Sequence, residues 1–197
     1  NGSGLTEEPC RMNCSGPQVL FQRKRTANPH LMSVDCMNRN QVLTSDKDFT
    51  VLIPTYNRAS VLATTLTSMC NTNREKYKVE FVVIDNNSTD ETRSVVDSFL
   101  DKIPLTYLFQ PRKGKSAAMN LALEKVPLAK IVVFTDDDIL CEGNWFESMA
   151  EAVKKWPGHS VFGGKVELVW PDTELPYWTR LKSIQPWAFG EHDLGSE

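Results

Sequence analysis

From residue 49 onward, apolar residues come in short runs, each closed by a polar cluster. Phe49-Thr50-Val51-Leu52-Ile53 stops at Pro54 and the turn Thr55-Tyr56-Asn57-Arg58, and Val79-Glu80-Phe81-Val82-Val83-Ile84 stops at Asp85-Asn86-Asn87-Ser88. Leu105 to Phe109 leads into Gln110-Pro111-Arg112-Lys113-Gly114-Lys115, and Ile131-Val132-Val133-Phe134 passes through Thr135 onto three consecutive carboxylates, Asp136, Asp137 and Asp138. All four runs have the length and composition of strands, and the last, continuous rather than alternating, predicts one covered on both faces. Helical stretches separate them. One runs from Ser60 to about Cys70; another, capped by Ser88 or Thr89, carries Asp90 and Glu91 in its first turn. A third is the small-residue segment Ser116-Ala117-Ala118-Met119-Asn120-Leu121-Ala122-Leu123. Strands alternating with helices imply parallel pairing through right-handed crossovers, hence an α/β fold of three layers, α/β/α, with a mostly parallel central sheet.

In such a sheet the strands point the same way, so the four polar clusters converge at one edge, where ligands bind. Any one cluster is explained as a turn; four at the same edge predict a site. Basic residues after the third strand and acids after the fourth suit a ligand that carries phosphate together with a metal. A divalent cation held by Asp138, with Asp136 or Asp137, would bridge to diphosphate oxygens. Tyr56 offers a ring for stacking, and Asp85 or Asn86 can accept from a base N–H or a ribose hydroxyl. Two other nucleotide folds are excluded. The first turn, Pro54-Thr55-Tyr56-Asn57, has none of the glycines of a dinucleotide-binding domain, and Lys113-Gly114-Lys115-Ser116 lacks the upstream glycine of a P-loop. A nucleotidyltransferase on a similar sheet would need a Gly-rich basic loop at the first of these positions.

Composition adds limits. With 197 residues and 41% hydrophobic content the chain suits one domain with a real core. Its net charge of -3 gives no field to attract nucleic acid. No apolar run approaches the ~20 residues of a membrane-spanning helix, which makes a cytoplasmic protein the default expectation. The ends, opening on Asn1 and closing on Glu197, suggest a fragment. Residues 1–48 have few periodic apolar positions, several prolines and the basic cluster Arg23-Lys24-Arg25, and are expected to be a weakly structured extension. The basic cluster leaves open a peripheral contact with an anionic membrane surface. Five cysteines without regular spacing argue against a disulfide framework; Cys10, Cys14 and Cys36 with His30 match no zinc pattern, and Cys70 and Cys141 read as small apolar residues.

Taken in order, Phe49 to Asn57 (FTVLIPTYN), Val82 to Asp90 (VVIDNNSTD), Gly114 to Asn120 (GKSAAMN) and Val132 to Asp138 (VVFTDDD) resemble the successive signatures of family 2 glycosyltransferases with the GT-A fold. The resemblance covers about residues 49–164, and the GT-A domain is expected over 49–197, ending before the acceptor segment. It implies inverting transfer of a sugar from a nucleoside-diphosphate sugar, a UDP-sugar being favoured, to a saccharide or lipid-linked saccharide. The alternative is a fragment that binds the donor without transferring it. By position, Pro54, Thr55, Tyr56 and Asn57 would line the nucleoside pocket, Asp85 and Asn86 would contact base or ribose, and Lys115 would lie near the diphosphate. Asp136, with Asp137 beside it, would contact ribose, and Asp138 would hold Mg2+ or Mn2+ with help from Asp136. The glycines of Phe162-Gly163-Gly164, expected after a fifth strand, would let backbone approach the donor sugar. Many relatives have two acids where this chain has Asp85-Asn86, so the base is open. No catalytic base is assigned; Glu167, Glu191 and Asp193 are candidates only as carboxylates. The rings of Trp170, Tyr177, Trp178, Trp187 and Phe189 suit an acceptor sugar, a membrane interface or packing on the sheet.

Overall fold

The computed structural model describes residues 11–19 and 44–169. Its centre is a four-stranded parallel sheet built from β2 (Phe49–Thr55), β3 (Val79–Asp85), β4 (Leu105–Phe109) and β5 (Ile131–Phe134), in the order β4-β3-β2-β5. A nine-residue strand β1 (Arg11–Val19) lies between β6 (Ile139–Cys141) and β7 (Phe162–Val169) in a second sheet, parallel to β6 and antiparallel to β7. Helices α1 (Ala59–Cys70), α2 (Thr92–Asp97), α3 (Lys115–Lys125) and α4 (Trp145–Lys155) complete the described chain.

β2 and β3 are mostly apolar on both faces because both faces are covered. Phe49, Val51 and Ile53, with Phe81 and Val83, pack on Leu62, Leu66 and Met69 of α1, Val96 of α2 and Phe146 of α4. On the opposite face Leu52, Val82 and Ile84 meet Ala118 and Ala122 of α3, whose small side chains let the helix approach the sheet closely. Phe146 anchors the first layer edge-on to Phe49 and Phe81, at ring separations of 5.1 and 6.1 Å. The polar Thr50 is tolerated inside β2 because its hydroxyl accepts from the Ala129 N–H at 3.0 Å.

Several sequence expectations are corrected. Ile131–Phe134 is only half-buried: Ile131 and Val133 pack on one core layer and Val132 on the other, but among the described residues β5 is an edge strand, and Phe134 is 60% exposed. The second helix begins at Thr92, and Asp90 rather than Ser88 or Thr89 meets its first N–H groups, accepting from Thr92 N at 3.1 Å. Gly163 and Gly164 lie inside β7, paired with Gln18 and Pro17, not in a loop beyond a strand. Arg11–Val19 departs from the weak structure expected before Phe49, because β6 and β7 offer it a strand on each side. The register shifts between Ser15 and Pro17, where proline has no N–H for the ladder. Cys70 and Cys141 are half-buried against the core, as expected of small apolar residues. Cys10, Cys36, His30, the basic cluster Arg23-Lys24-Arg25, the aromatic residues from Trp170 onward, Glu191 and Asp193 lie outside the described residues.

Candidate functional site

The four strand ends do meet. Thr55 at the end of β2 is in register with Asp85 at the end of β3, and Asp85 with Phe109 at the end of β4. Just beyond β5 the chain turns through Asp136, Asp137 and Asp138 into β6. A cavity of about 580 Å3 opens at this edge between Pro54, Thr55 and Tyr56 on one strand end and the three acids on another. Asn86, Lys113, Gly114 and Lys115 close its other side, and Arg58 also lines it.

The acids are not equivalent. Asp137 is buried, 4% exposed, and its two carboxylate oxygens accept from Thr55 Oγ1 and Arg58 Nη1, each at 2.7 Å. Its carbonyl accepts from Thr65 Oγ1 of α1, so the acid loop is bolted to the first helix. Burial pushes the Asp137 carboxyl up; the Thr55 hydrogen bond and the Arg58 charge pull it back, and Asp138 adds to the rise. Asp138 accepts from Arg58 Nη2 at 2.9 Å, and Asp136, the more exposed end of the triplet, pairs with Lys115. Burial works against charge on Arg58, but its bond to Asp138 and the three nearby acids hold it above its ordinary value. Lys113 donates to the Tyr56 hydroxyl at 2.9 Å, with its ammonium 4.9 Å from the ring centroid. Three carboxylates thus face Arg58, Lys113 and Lys115.

Among the residues expected at the site, Pro54, Thr55, Tyr56, Asn86, Lys115 and all three acids line the cavity. Asn57 and Asp85 do not. Asn57, at φ 51°, is a turn residue whose Oδ1 accepts from Thr89 N at 2.7 Å and whose N–H donates to Ser88 Oγ. Asparagine tolerates that left-handed backbone, and Asn87 repeats it at φ 68°. Asp85 is buried behind the pocket, accepting from Ser88 N at 2.8 Å and from the Tyr107 hydroxyl at 2.7 Å. Arg58 was missed by sequence reasoning. The available signal was the acid triplet itself: a buried carboxylate needs a counter-charge, and Arg58 ends the polar turn at the same sheet edge.

Asp136 and Asp138 suit a divalent cation held by one or two carboxylates, phosphate oxygens and waters. Among the described residues no three histidine, cysteine or acidic side chains converge on a metal-sized space, so those side chains form no closed cage.

A parallel sheet with acids and cations gathered at its C-terminal edge, around a cavity of nucleotide size, is the architecture of nucleotide-sugar transferases of the GT-A type. The solved structure of Staphylococcus aureus TarS residues 1-349 in complex with UDP superposes with a TM-score of 0.50 at 26% identity, over 55% of this chain and 32% of that one. The chain belongs to glycosyl transferase family 2, which matches residues 50–187. It is 34% identical over 103 residues to validoxylamine A glucosyltransferase of Streptomyces hygroscopicus subsp. jinggangensis, covering 52% of this chain and 24% of that protein. It is 32% identical over 92 residues to the poly(ribitol-phosphate) beta-N-acetylglucosaminyltransferase TarS of S. aureus strain Mu50, covering 46% of this chain and 16% of that protein. The chain therefore spans a quarter or less of the length of these relatives.

Proposed function

We propose that this chain is the donor-binding part of a glycosyltransferase that moves a sugar from a nucleoside-diphosphate sugar, a UDP-sugar first, to an acceptor hydroxyl with inversion. The observation that carries this reading is the convergence of Tyr56, the acid triplet and three cations on one cavity at the sheet edge. Nucleotide-sized space, an aromatic side chain beside a backbone edge, and charged groups of both signs are what a nucleoside diphosphate requires. The UDP bound to TarS supports the choice of uridine.

Charge balance supports a metal. The three acids equal Arg58, Lys113 and Lys115 in number, so the pocket has no net positive charge for a diphosphate. Asp138, with Asp136, would hold Mg2+ or Mn2+, which when bound would neutralise charge on the departing nucleoside diphosphate. This chain's own residues do the rest. Asp137, tied to Thr55, Arg58 and Thr65, fixes the acid loop; Lys115 sits where it can exchange Asp136 for a phosphate oxygen; Tyr56 and Lys113 form one wall. The acceptor hydroxyl attacks the anomeric carbon from the side opposite the diphosphate, which gives inversion. Its proton requires a carboxylate that the described site does not identify.

For the acceptor we propose a saccharide or lipid-linked saccharide, in cell-envelope or extracellular polysaccharide synthesis, a reading supported by the similarity to a poly(ribitol-phosphate) beta-N-acetylglucosaminyltransferase. The protein would work at the cytoplasmic side, in peripheral contact with the membrane's inner face. No helix among the described residues is long and apolar enough to cross a membrane.

The test is calorimetric, on two variants. Asp138→Ala is expected to weaken UDP binding about tenfold or more in Mn2+ and to leave binding in EDTA unchanged; an equal loss in EDTA removes the metal role. Tyr56→Ala is expected to weaken uridine and UDP by the same factor, about fivefold, and unchanged uridine affinity would return Tyr56 to the surface.

A further inference from the structure

Asn86 stands at the end of β3 with its side chain at the cavity wall, where base recognition by its amide edge is the obvious expectation. Its hydrogen bonds point elsewhere. Oδ1 accepts from Gly114 N at 2.6 Å, and Nδ2 donates to the carbonyls of Arg112 at 2.8 Å and Gln110 at 3.3 Å. Both ends of the amide are therefore engaged by a single loop, the one joining β4 to α3, and the residue is only 7% exposed. Its neighbour Asp85 is committed as well, to Ser88 N and the Tyr107 hydroxyl. Every polar atom of both side chains is already engaged within the protein.

The clamped loop is the one that carries the pocket's lysines. Gly114, at φ 127°, takes a backbone that side chains rarely adopt, and a Cβ there would meet nothing within 4 Å, so the conformation rather than space demands glycine. On either side of it Lys113 reaches Tyr56 and Lys115 reaches Asp136. Gln110 braces the same loop from within, accepting from Arg112 N and donating to the Ala117 carbonyl, each at 3.0 Å.

We infer that Asn86 is a positioning residue: it locks the loop 110–114 so that Lys113 and Lys115 face the donor, and it does not read the nucleobase. This rests on the nucleotide-sugar reading of the pocket. An amide is required because the position must accept from one N–H and donate to two carbonyls at once. Aspartate accepts from Gly114 N but turns a second oxygen onto the carbonyls of Arg112 and Gln110. Protonation of that oxygen restores a donor.

The experiment compares wild type, Asn86→Asp and Gln110→Ala in binding of UDP and GDP in Mn2+ from pH 5.5 to 8, with hydrogen exchange of the 110–116 amides. At pH 7.5 both variants are expected to lose about tenfold in affinity for UDP and GDP alike, with faster exchange at Gly114 and unchanged exchange in β2 and β3. As pH falls, Asn86→Asp is expected to recover relative to wild type, whereas Gln110→Ala does not. The neighbouring charges, Asp85, Arg112 and Lys113, are common to both proteins, so the ratio isolates position 86. A changed preference between UDP and GDP with loop exchange unaltered would overturn the inference and make Asn86 a base reader. Full affinity in Asn86→Asp at pH 7.5 would overturn it as well. Should wild type bind neither nucleotide, the donor reading fails, while exchange at Gly114 still decides the clamp.

Discussion

Arg58 holds two carboxylates with one guanidinium, and the geometry, one amino group to each acid at 2.7 and 2.9 Å, explains why two adjacent acids coexist there. Removing it would leave Asp137 buried without its counter-charge, held by the Thr55 hydroxyl and a backbone N–H. Losing one partner of a fully buried pair costs several kcal/mol; the Arg58 side chain is 37% exposed and solvent screens part of the interaction, so Arg58→Ala is expected to cost about 1–2 kcal/mol in urea unfolding. A loss below about 0.5 kcal/mol would mean that the pair is a surface contact. Tyr107 makes a second prediction. Burial, with its hydrogen bond to Asp85, pushes its hydroxyl from 10.0 up to about 12. A raised value means that the folded state keeps a proton the unfolded chain releases, so this stabilisation is complete below pH 10 and lost between about 10 and 12. Tyr107→Phe is expected to unfold with a shallower alkaline dependence across that window; parallel curves would contradict it. At this scale the sequence was only partly legible. Thr55, Tyr56, Asn86, Lys115 and the acids could be assigned to the site from order alone, but not which acid is buried, nor that Asn57 and Asp85 face away from the pocket. Those depend on hydrogen bonds between residues about 20–80 positions apart.

The elements themselves were legible because burial and pattern agree. β2 and β3 are mostly apolar on both faces since a helix layer covers each, and the small residues of α3 mark one of those layers. That packing yields a prediction for Ala118, fully buried against Leu52 and Val82. Ala118→Leu is expected to destabilise by about 1–3 kcal/mol through overpacking, measured by thermal or urea unfolding. The same substitution at the exposed Glu124 of this helix should be near neutral; equal effects at both sites would place α3 off the sheet. Failures at this scale have a common cause. Ile131–Phe134 reads as a fully buried strand by local pattern, yet it is only half-buried because no strand pairs beyond it among the described residues. Arg11–Val19 reads as extension by local pattern, yet it forms a strand because β6 and β7 are there to receive it. The start of α2 moved to Thr92 because Asp90 bridges it to Ala59 at the start of α1, accepting from Ala59 N at 2.9 Å.

Across the whole molecule, a parallel sheet brings four separate loops to one edge, and that alone made both fold and site legible before any contact was known. Family membership over residues 50–187 agrees with the motif order read from the chain. Donor base, acceptor and catalytic carboxylate were not legible, because they depend on atoms supplied by a ligand or by residues outside the described core. The central claim is that this edge is a metal-assisted nucleoside-diphosphate site. Titration of the wild-type chain with UDP, in Mn2+ and in EDTA, tests it most directly. The account predicts saturable one-to-one binding in Mn2+ that weakens about tenfold or more in EDTA. No heat of binding in either buffer, from a chain that unfolds cooperatively, would contradict it.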